Sequence, residues 1–300
     1  MAMAIQIWRN ILTASVASEL HQAVAADVSR RRLDRMSRPQ PAGIPLLLES
    51  ARTNARGYHG QEALKPGLIT CLLLLGLTGL ASPAGSAPLK ICLLSACAEY
   101  ESDKSLSGFQ KYLETNLRVT CRLVSGKDKG EGLPGLEALD DSDLLIVFTR
   151  RVALPPAQLE RIQKYISSGR PIIGLRTASH AFANYLEFDH EVLGGNYKGH
   201  FDDSEVQVKL VASQAGHPVL KGVSPFTSRK LYKNPEIAKD VIVLLEGTLP
   251  DHHTEPVAWT RVHAGGRVFY TSLGIPEDFQ QESFRRLLVN AVFWTTAHDK

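Results

Sequence analysis

R-P-I-I-G-L-R-T-A-S-H-A-F, residues 170–182, is the stretch from which the fold can be read. Pro171 to Leu175 is a short apolar run, the form taken by a parallel strand buried on both faces. Thr177 to Leu186 reads as the start of a helix, which puts Arg176 on the sharp turn between strand and helix. In doubly wound α/β folds ligands bind outside the carboxyl ends of the strands, so this turn is the expected crevice. A helix starting there leaves backbone N–H groups unpaired and presents partial positive charge to an anion or oxyanion. A hydrolase would keep a nucleophile at such a turn. Here a guanidinium stands instead, a group that donates hydrogen bonds and cannot attack.

Working outward, Leu89 to Ala96 reads as the first buried strand, followed by a polar loop from Cys97 to Asp103. Ser105 to Asn116 carries Leu106, Phe109, Tyr112 and Leu113 at helical spacing. Val119 to Val124 and Asp143 to Phe148 are further strands, the latter ending at Thr149-Arg150-Arg151. Pro155 and Pro156 open a helix with Leu159, Ile162, Tyr165 and Ile166 on one face, and Gly169 stops it. This rhythm predicts an α/β fold: a doubly wound, mostly parallel sheet with helices on both faces, three layers in a flavodoxin-like manner. Further on, Val206, Val208 and Leu210 alternate with polar residues as in a half-exposed strand, and Val241 to Leu245 is another apolar run. Pro256 to Val262 and Arg267 to Leu273 flank Ala264-Gly265-Gly266 and read as a hairpin. Phe279 to Ala297 closes the chain as an amphipathic helix with Phe284, Leu287, Leu288, Ala291, Val292 and Trp294 inward.

Charge is unevenly spread. The formal net charge is +3, but residues 1 to 60 hold eight Arg, no Lys and four acids, a net of +4. Glu62 and Lys65 cancel, so the chain from Pro88 onward carries 3 − 4 = −1. A near-neutral body gives no electrostatic case for nucleic acid or a membrane surface. Leu68 to Ala81 is an uninterrupted apolar run preceded by Lys65 and followed by small residues, which matches a secretory signal cleaved after Ala84 or Ala87. Fourteen residues are short for a spanning helix, which needs roughly 20. The expectation is therefore an exported protein, periplasmic or extracellular, with no stable membrane anchor after cleavage. Residues 1–87 form an Arg-rich extension plus signal-like segment outside the fold, and residues 88–300 form one α/β domain. Cys71, Cys92, Cys97 and Cys121 match no zinc spacing. Cys92 and Cys121 fall in neighbouring strands, where buried small hydrophobes are a better reading than a disulfide.

Candidate functional residues gather at the strand ends. Arg176, with the Thr177 and Ala178 amides, could hold a carboxylate, enediolate or sugar oxygen; its alternative is a buried ion pair with Glu99 or another acid. His180 is a candidate acid/base or metal ligand, or else a hydrogen-bonded, partly buried histidine. Glu99, Tyr100 and Asp103 follow the first strand; Asp103 is better read as a helix cap, leaving Glu99 as the candidate base. Arg150 is a second cation at the end of the third strand. Ser179 joins Thr177 among the groups of the turn. Asn196, Tyr197 and His200 lie in a glycine-punctuated loop, and their donors, acceptors and flat faces suit sugar hydroxyls. Asp278, ahead of the last helix, is accounted for by the helix dipole. No cofactor and no metal set is called for. The candidate partners are a sugar-like small molecule and a second copy of the chain.

R-T-A-S-H-A-F (176–182), L-G-G-N-Y-K-G-H (193–200), P-V-A-W-T-R (256–261), G-R-V-F-Y-T-S-L-G (266–274), P-E-D-F (276–279) and F-R-R-L-L-V-N-A (284–291) together resemble the ThuA-like family, named for trehalose utilisation. The similarity covers essentially residues 89–297 and implies a class I glutamine amidotransferase-like fold and a carbohydrate-related role. On that alignment of folds, Arg176 stands where an amidotransferase keeps its nucleophilic cysteine. Ile275, before Pro276-Glu277, stands where the catalytic histidine would be, and there the chain departs even from many of its ThuA-like relatives. Lacking thiol and imidazole, the site has lost the thioester route to glutamine hydrolysis. The resemblance implies chemistry on a keto-sugar or similar polyol, with Glu99 or His180 as base and Arg176 stabilising developing negative charge. The rival is a non-catalytic binding module that kept the fold; a metal-dependent hydrolase built on His180 and His200 is a third reading.

Overall fold

A computed structural model describes residues 87–298, and the extension and signal-like segment up to residue 86 lie outside the described residues. In chain order the elements are β1 (Leu89–Ala96), α1 (Ser102–Asn116), β2 (Val119–Ser125), β3 (Leu144–Thr149), α2 (Pro156–Ser167) and β4 (Ile172–Leu175). These are followed by β5 (Glu205–Leu210), β6 (Phe226–Arg229), β7 (Ile242–Thr248), β8 (Thr254–His263), β9 (Gly266–Thr271) and α3 (Glu282–Thr296). The nine strands form one sheet in the order β2-β1-β3-β4-β9-β8-β7-β5-β6.

The expectation of a mostly parallel sheet is corrected. Pairings from β2 through β9 are parallel, and those from β9 to β6 are antiparallel. The direction reverses at β9 because the chain returns through a two-residue turn. His263 pairs with Gly266, and the intervening Ala264 and Gly265 have φ of 49° and 85°. Two left-handed residues in succession match the twist of the flanking strands, the condition for a tight hairpin.

Helices cover both faces of the parallel half. On one face Ile91, Leu93 and Phe148 pack with Leu106, Phe109 and Leu113 of α1 and Phe284, Leu287 and Leu288 of α3. On the other, Cys92, Leu94, Leu145 and Val147 pack with Ile162, Tyr165 and Ile166 of α2. Alternate residues of β1 thus feed two cores, the period-2 geometry of a strand buried twice. Cys92 and Cys121 belong to opposite faces and are free thiols, so no bridge joins them. Tyr112, expected inward on α1, is 40% exposed.

The helix expected over Thr177 to Leu186 is also corrected. Only one 3₁₀ turn forms, Arg176–His180. Past it the chain is drawn out alongside Val152, whose N–H donates to Ala181 O at 2.9 Å and whose carbonyl accepts from Ala183 N at 2.9 Å. Asn184 then clasps the backbone of Leu154 through both side-chain atoms, at 2.9 and 2.8 Å. These bonds satisfy groups that a longer helix would have used internally. A six-residue π-helical segment, Phe188–Leu193, follows and leads into the Gly194-Gly195 loop. Among the described residues no helix is long and apolar enough to cross a membrane.

Candidate functional site

The carboxyl ends of β1, β3 and β4 converge as the sequence suggests, and the Arg176 turn lies among them. The elbow is conformationally strained: Arg176 has φ 48°, and Glu101, Arg151 and Lys230, on loops around it, have φ of 45°, 49° and 58°. A non-glycine residue in the left-handed region costs on the order of 1–2 kcal/mol and persists only where its surroundings impose it. At Arg176 the imposing contacts are visible. Its carbonyl accepts from Tyr270 Oη at 2.9 Å, and its guanidinium donates to Ser272 O at 2.5 Å, Lys230 O at 2.9 Å and Tyr100 Oη at 3.2 Å. The guanidinium carbon lies 4.1 Å from the Tyr232 ring centroid and 4.5 Å from that of Tyr100.

Arg176 is therefore a buried tie, 1% exposed, rather than a group at the crevice wall. The ion pair with Glu99 that stood as its alternative does not form. Glu99 Oε2 instead pairs with Arg150 at 3.0 Å, and Arg150 also reaches Asp128 at 3.3 Å. A buried acid that feels the Arg176 charge is Asp278. Asp278 Oδ2 accepts from Gly274 N at 2.7 Å, Ile275 N at 3.1 Å and Ser228 Oγ at 3.0 Å. Burial raises its pKa, while the Gly274 N–H, the Ser228 hydroxyl and the Arg176 charge pull it back. The helix-dipole account of Asp278 is thus replaced: its carboxylate organises the segment after β9.

His180 and Tyr197 meet. Their rings stack at 4.5 Å and 20°, and Tyr232 lies 4.6 Å beyond Tyr197. Ser179 Oγ lies 3.0 Å from His180 Nδ1. Burial, with the Arg151 and Arg150 charges nearby, lowers the His180 pKa to about 3, so the imidazole is neutral at physiological pH and a weak proton acceptor. Tyr197 is placed by Asp189, whose Oδ2 accepts from Tyr197 N at 2.8 Å. Burial raises the Asp189 pKa to about 6, opposed by that N–H. Gly195 sits against the same carboxylate, and any Cβ there would overlap Asp189 Oδ1. Burial raises the Tyr197 pKa, and the Arg176 and Arg151 charges oppose that rise.

Other expected site residues separate. Asn196 spends its amide on Pro235 O at 2.7 Å, and exposed His200 bonds Phe201 O at 2.7 Å. Thr177 is wholly buried and Ser179 is nearly so. Among the described residues no group of three or more His, Cys, Asp or Glu could hold a metal ion. What does open to solvent is a cleft of about 560 Å³ lined by Glu99, Tyr100, Glu101, Asp203, Arg229, Lys230 and Glu277, together with Ala98, Ile275 and Pro276. Sequence reasoning found Glu99 and Tyr100. It missed Lys230 and Asp203, which lie in polar loops with no spacing to single them out, and it passed over Glu277.

With this geometry in hand, the chain can be set beside known proteins. Residues 97–295 match the family profile ThuA, described as trehalose utilisation. Among solved structures the chain is similar to a ThuA-like protein of Bacteroides uniformis, with 19% identity and a TM-score of 0.56 over 72% of this chain and 94% of that one. A ThuA-like protein of Parabacteroides merdae gives 17% identity and a TM-score of 0.57 over 70% and 90%. At such identities the likeness speaks for the fold alone. No curated protein matches the chain.

Proposed function

Because the chain belongs to the ThuA, or trehalose-utilisation, family, we propose that it binds a sugar-like small molecule in the Glu99–Lys230 cleft and has a carbohydrate-related role. The observation that carries this reading is the cleft itself, which sits where an α/β sheet places its ligands and whose lining is polar and mostly self-paired. Hydrogen-bonding groups along the lining, with the nearly buried Tyr100 among them, suit a polyhydroxylated ring.

The chemistry proposed is proton transfer on a keto-sugar or related polyol. Glu99, half-exposed beside Arg150, is the base that opens on the cleft; neutral His180, stacked on Tyr197 with a pKa of about 3, is too weak a base to share that role and serves as a hydrogen-bonding group. Glutamine hydrolysis is not part of the proposal, since a buried guanidinium occupies the elbow and Ile275 the base position. Export of the protein, resting on the apolar run from Leu68 to Ala81, is proposed alongside and is tested by sequencing the mature N-terminus.

Saturation-transfer NMR against a panel of disaccharides and their keto derivatives tests the site. Binding that Tyr100→Ala abolishes supports it, and binding indifferent to Tyr100→Ala and Glu99→Gln places the ligand elsewhere. The elbow also supports a second reading, a binding module without turnover: every polar contact of Arg176 is spent on the fold. Hydrogen–deuterium exchange at the carbon next to the carbonyl of a bound keto-sugar separates the two. Exchange that Glu99→Gln removes means catalysis, and its absence with binding intact means a receptor.

A further inference from the structure

Removing Arg176 from the cleft wall leaves the question of which cation, if any, meets the ligand. Lys230 answers it. Its side chain lines the cleft, with Nζ 5.4 Å from the Tyr100 ring centroid. Among the described residues its ammonium has neither a hydrogen bond nor an ion pair; it attracts Asp203 only through space. Apart from Glu277, the other charged walls are engaged, Glu99 with Arg150 at 3.0 Å, Glu101 with Lys104 at 2.9 Å and Asp203 with Arg229 at 2.9 Å. Lys230 is also held there against backbone preference. Its φ is 58°, and its carbonyl receives the Arg176 guanidinium at 2.9 Å. Two residues on, Tyr232 lies against the same guanidinium. Relaxing φ to the right-handed region would swing that carbonyl away and leave the buried guanidinium short of an acceptor.

We propose that Lys230 is the ligand-gripping cation of this cleft, that Arg176 is the residue positioning it, and that the ligand is an uncharged polyhydroxy compound; this rests on the reading of the cleft as the ligand site. Neutrality follows from the lining. Glu99, Glu101 and Asp203 are each answered by a partner, Arg150, Lys104 and Arg229, which leaves Glu277 to balance Lys230 and no net positive charge to draw an anion. An anionic sugar would find no excess of positive charge and would meet Glu277 unpaired, whereas a hydroxyl can accept from the ammonium and donate to Glu277. An ammonium with no hydrogen bond or ion pair among the described residues is suited to such oxygens.

The experiment measures the acetylation rate of each lysine in the full-length protein by mass spectrometry, with trehalose or gluconate as probe, and binding in parallel by saturation-transfer NMR. The expected result is at least threefold protection of Lys230 by trehalose and none by gluconate. Lys230→Met should weaken trehalose binding at least tenfold at unchanged thermal stability, and Lys230→Arg should recover part of it. Arg176→Lys, if folded, should raise Lys230 acetylation several-fold without sugar present; an unchanged rate overturns the positioning role. If Arg176→Lys does not fold, Tyr232→Phe and Tyr232→Leu replace it, Leu alone being expected to free Lys230. Trehalose binding that leaves Lys230 unprotected and survives Lys230→Met overturns the Lys230 assignment while sparing the sugar site. Protection by gluconate overturns the neutral-ligand claim, and binding of neither probe overturns this inference and the sugar reading together.

Discussion

A pair of buried titratable groups under the crevice should leave opposite marks on stability. Burial and the neighbouring guanidinium charges take the His180 pKa from its usual 6.5 to about 3. Between those values the unfolded chain holds a proton that the native protein does not, so stability falls as pH drops through the window. At about 1.4 kcal/mol per pH unit, acidification from pH 7.5 to 4.5 removes roughly 2.7 kcal/mol through this group. Asp189 behaves in the opposite way. Its pKa rises from 3.8 to about 6, so the native protein takes up a proton first and gains stability on acidification. Over the same interval that gain is about 2 kcal/mol. The two effects nearly cancel in the parent protein and are exposed by substitution. His180→Phe, which keeps a ring on Tyr197, should gain roughly 2.7 kcal/mol relative to the parent between pH 7.5 and 4.5. Asp189→Asn should lose about 2 kcal/mol over that range. Urea unfolding at pH 7.5, 6.0 and 4.5 reads both, because a pH-independent packing cost drops out of the difference. A His180→Phe curve parallel to the parent within about 0.5 kcal/mol would refute the assignment of a desolvated, neutral imidazole.

Arg176→Met should cost about 3 kcal/mol or more in urea unfolding, since it strands Ser272 O, Lys230 O and the buried Asp278 carboxylate; Arg176→Lys should recover little, because one ammonium cannot span the fork. Asp278→Ala removes the acceptor of three buried donors and should cost about 2–4 kcal/mol, whereas Asp278→Asn keeps an oxygen in place and should lose less than half of that. Equal losses for the two would show that charge, not acceptor geometry, is what matters. Cys92 and Cys121 have thiol pKa values pushed up to about 12 by burial, so a disulfide-exchange reagent at pH 8 should label them only after denaturation. Rapid labelling of the native protein would contradict that burial.

The half of the fold around Arg176 was legible because a strand buried on both faces must be apolar along its centre, and 91–94, 144–148 and 171–175 are. The 256–273 hairpin was legible from Ala264-Gly265, and β5 from its alternation. Sheet direction was not, since a short apolar run reads alike in parallel and antiparallel company, and β6, only four residues long, carries no pattern of its own. The aborted helix after Arg176 could not be foreseen from local sequence either, because what stops it is Val152, Leu154 and Asn184, brought there by β3 and its loop. The site divides in the same way. Glu99 and Tyr100 follow a strand and declare themselves, while Lys230 acquires its place through a carbonyl bonded to a residue 54 positions away.

That long-range bond has a bearing on any attempt to install a nucleophile at the elbow. A cysteine installed at position 176 would meet no imidazole at 275 and would withdraw the fastener joining the ends of β9, β6 and β1. Such an installation would need simultaneous rebuilding of Ile275, the Lys230 loop and the pairing of Asp278, so single-step engineering meets a one-way gate. The elbow braces rather than reacts, and its neighbours depend on the brace.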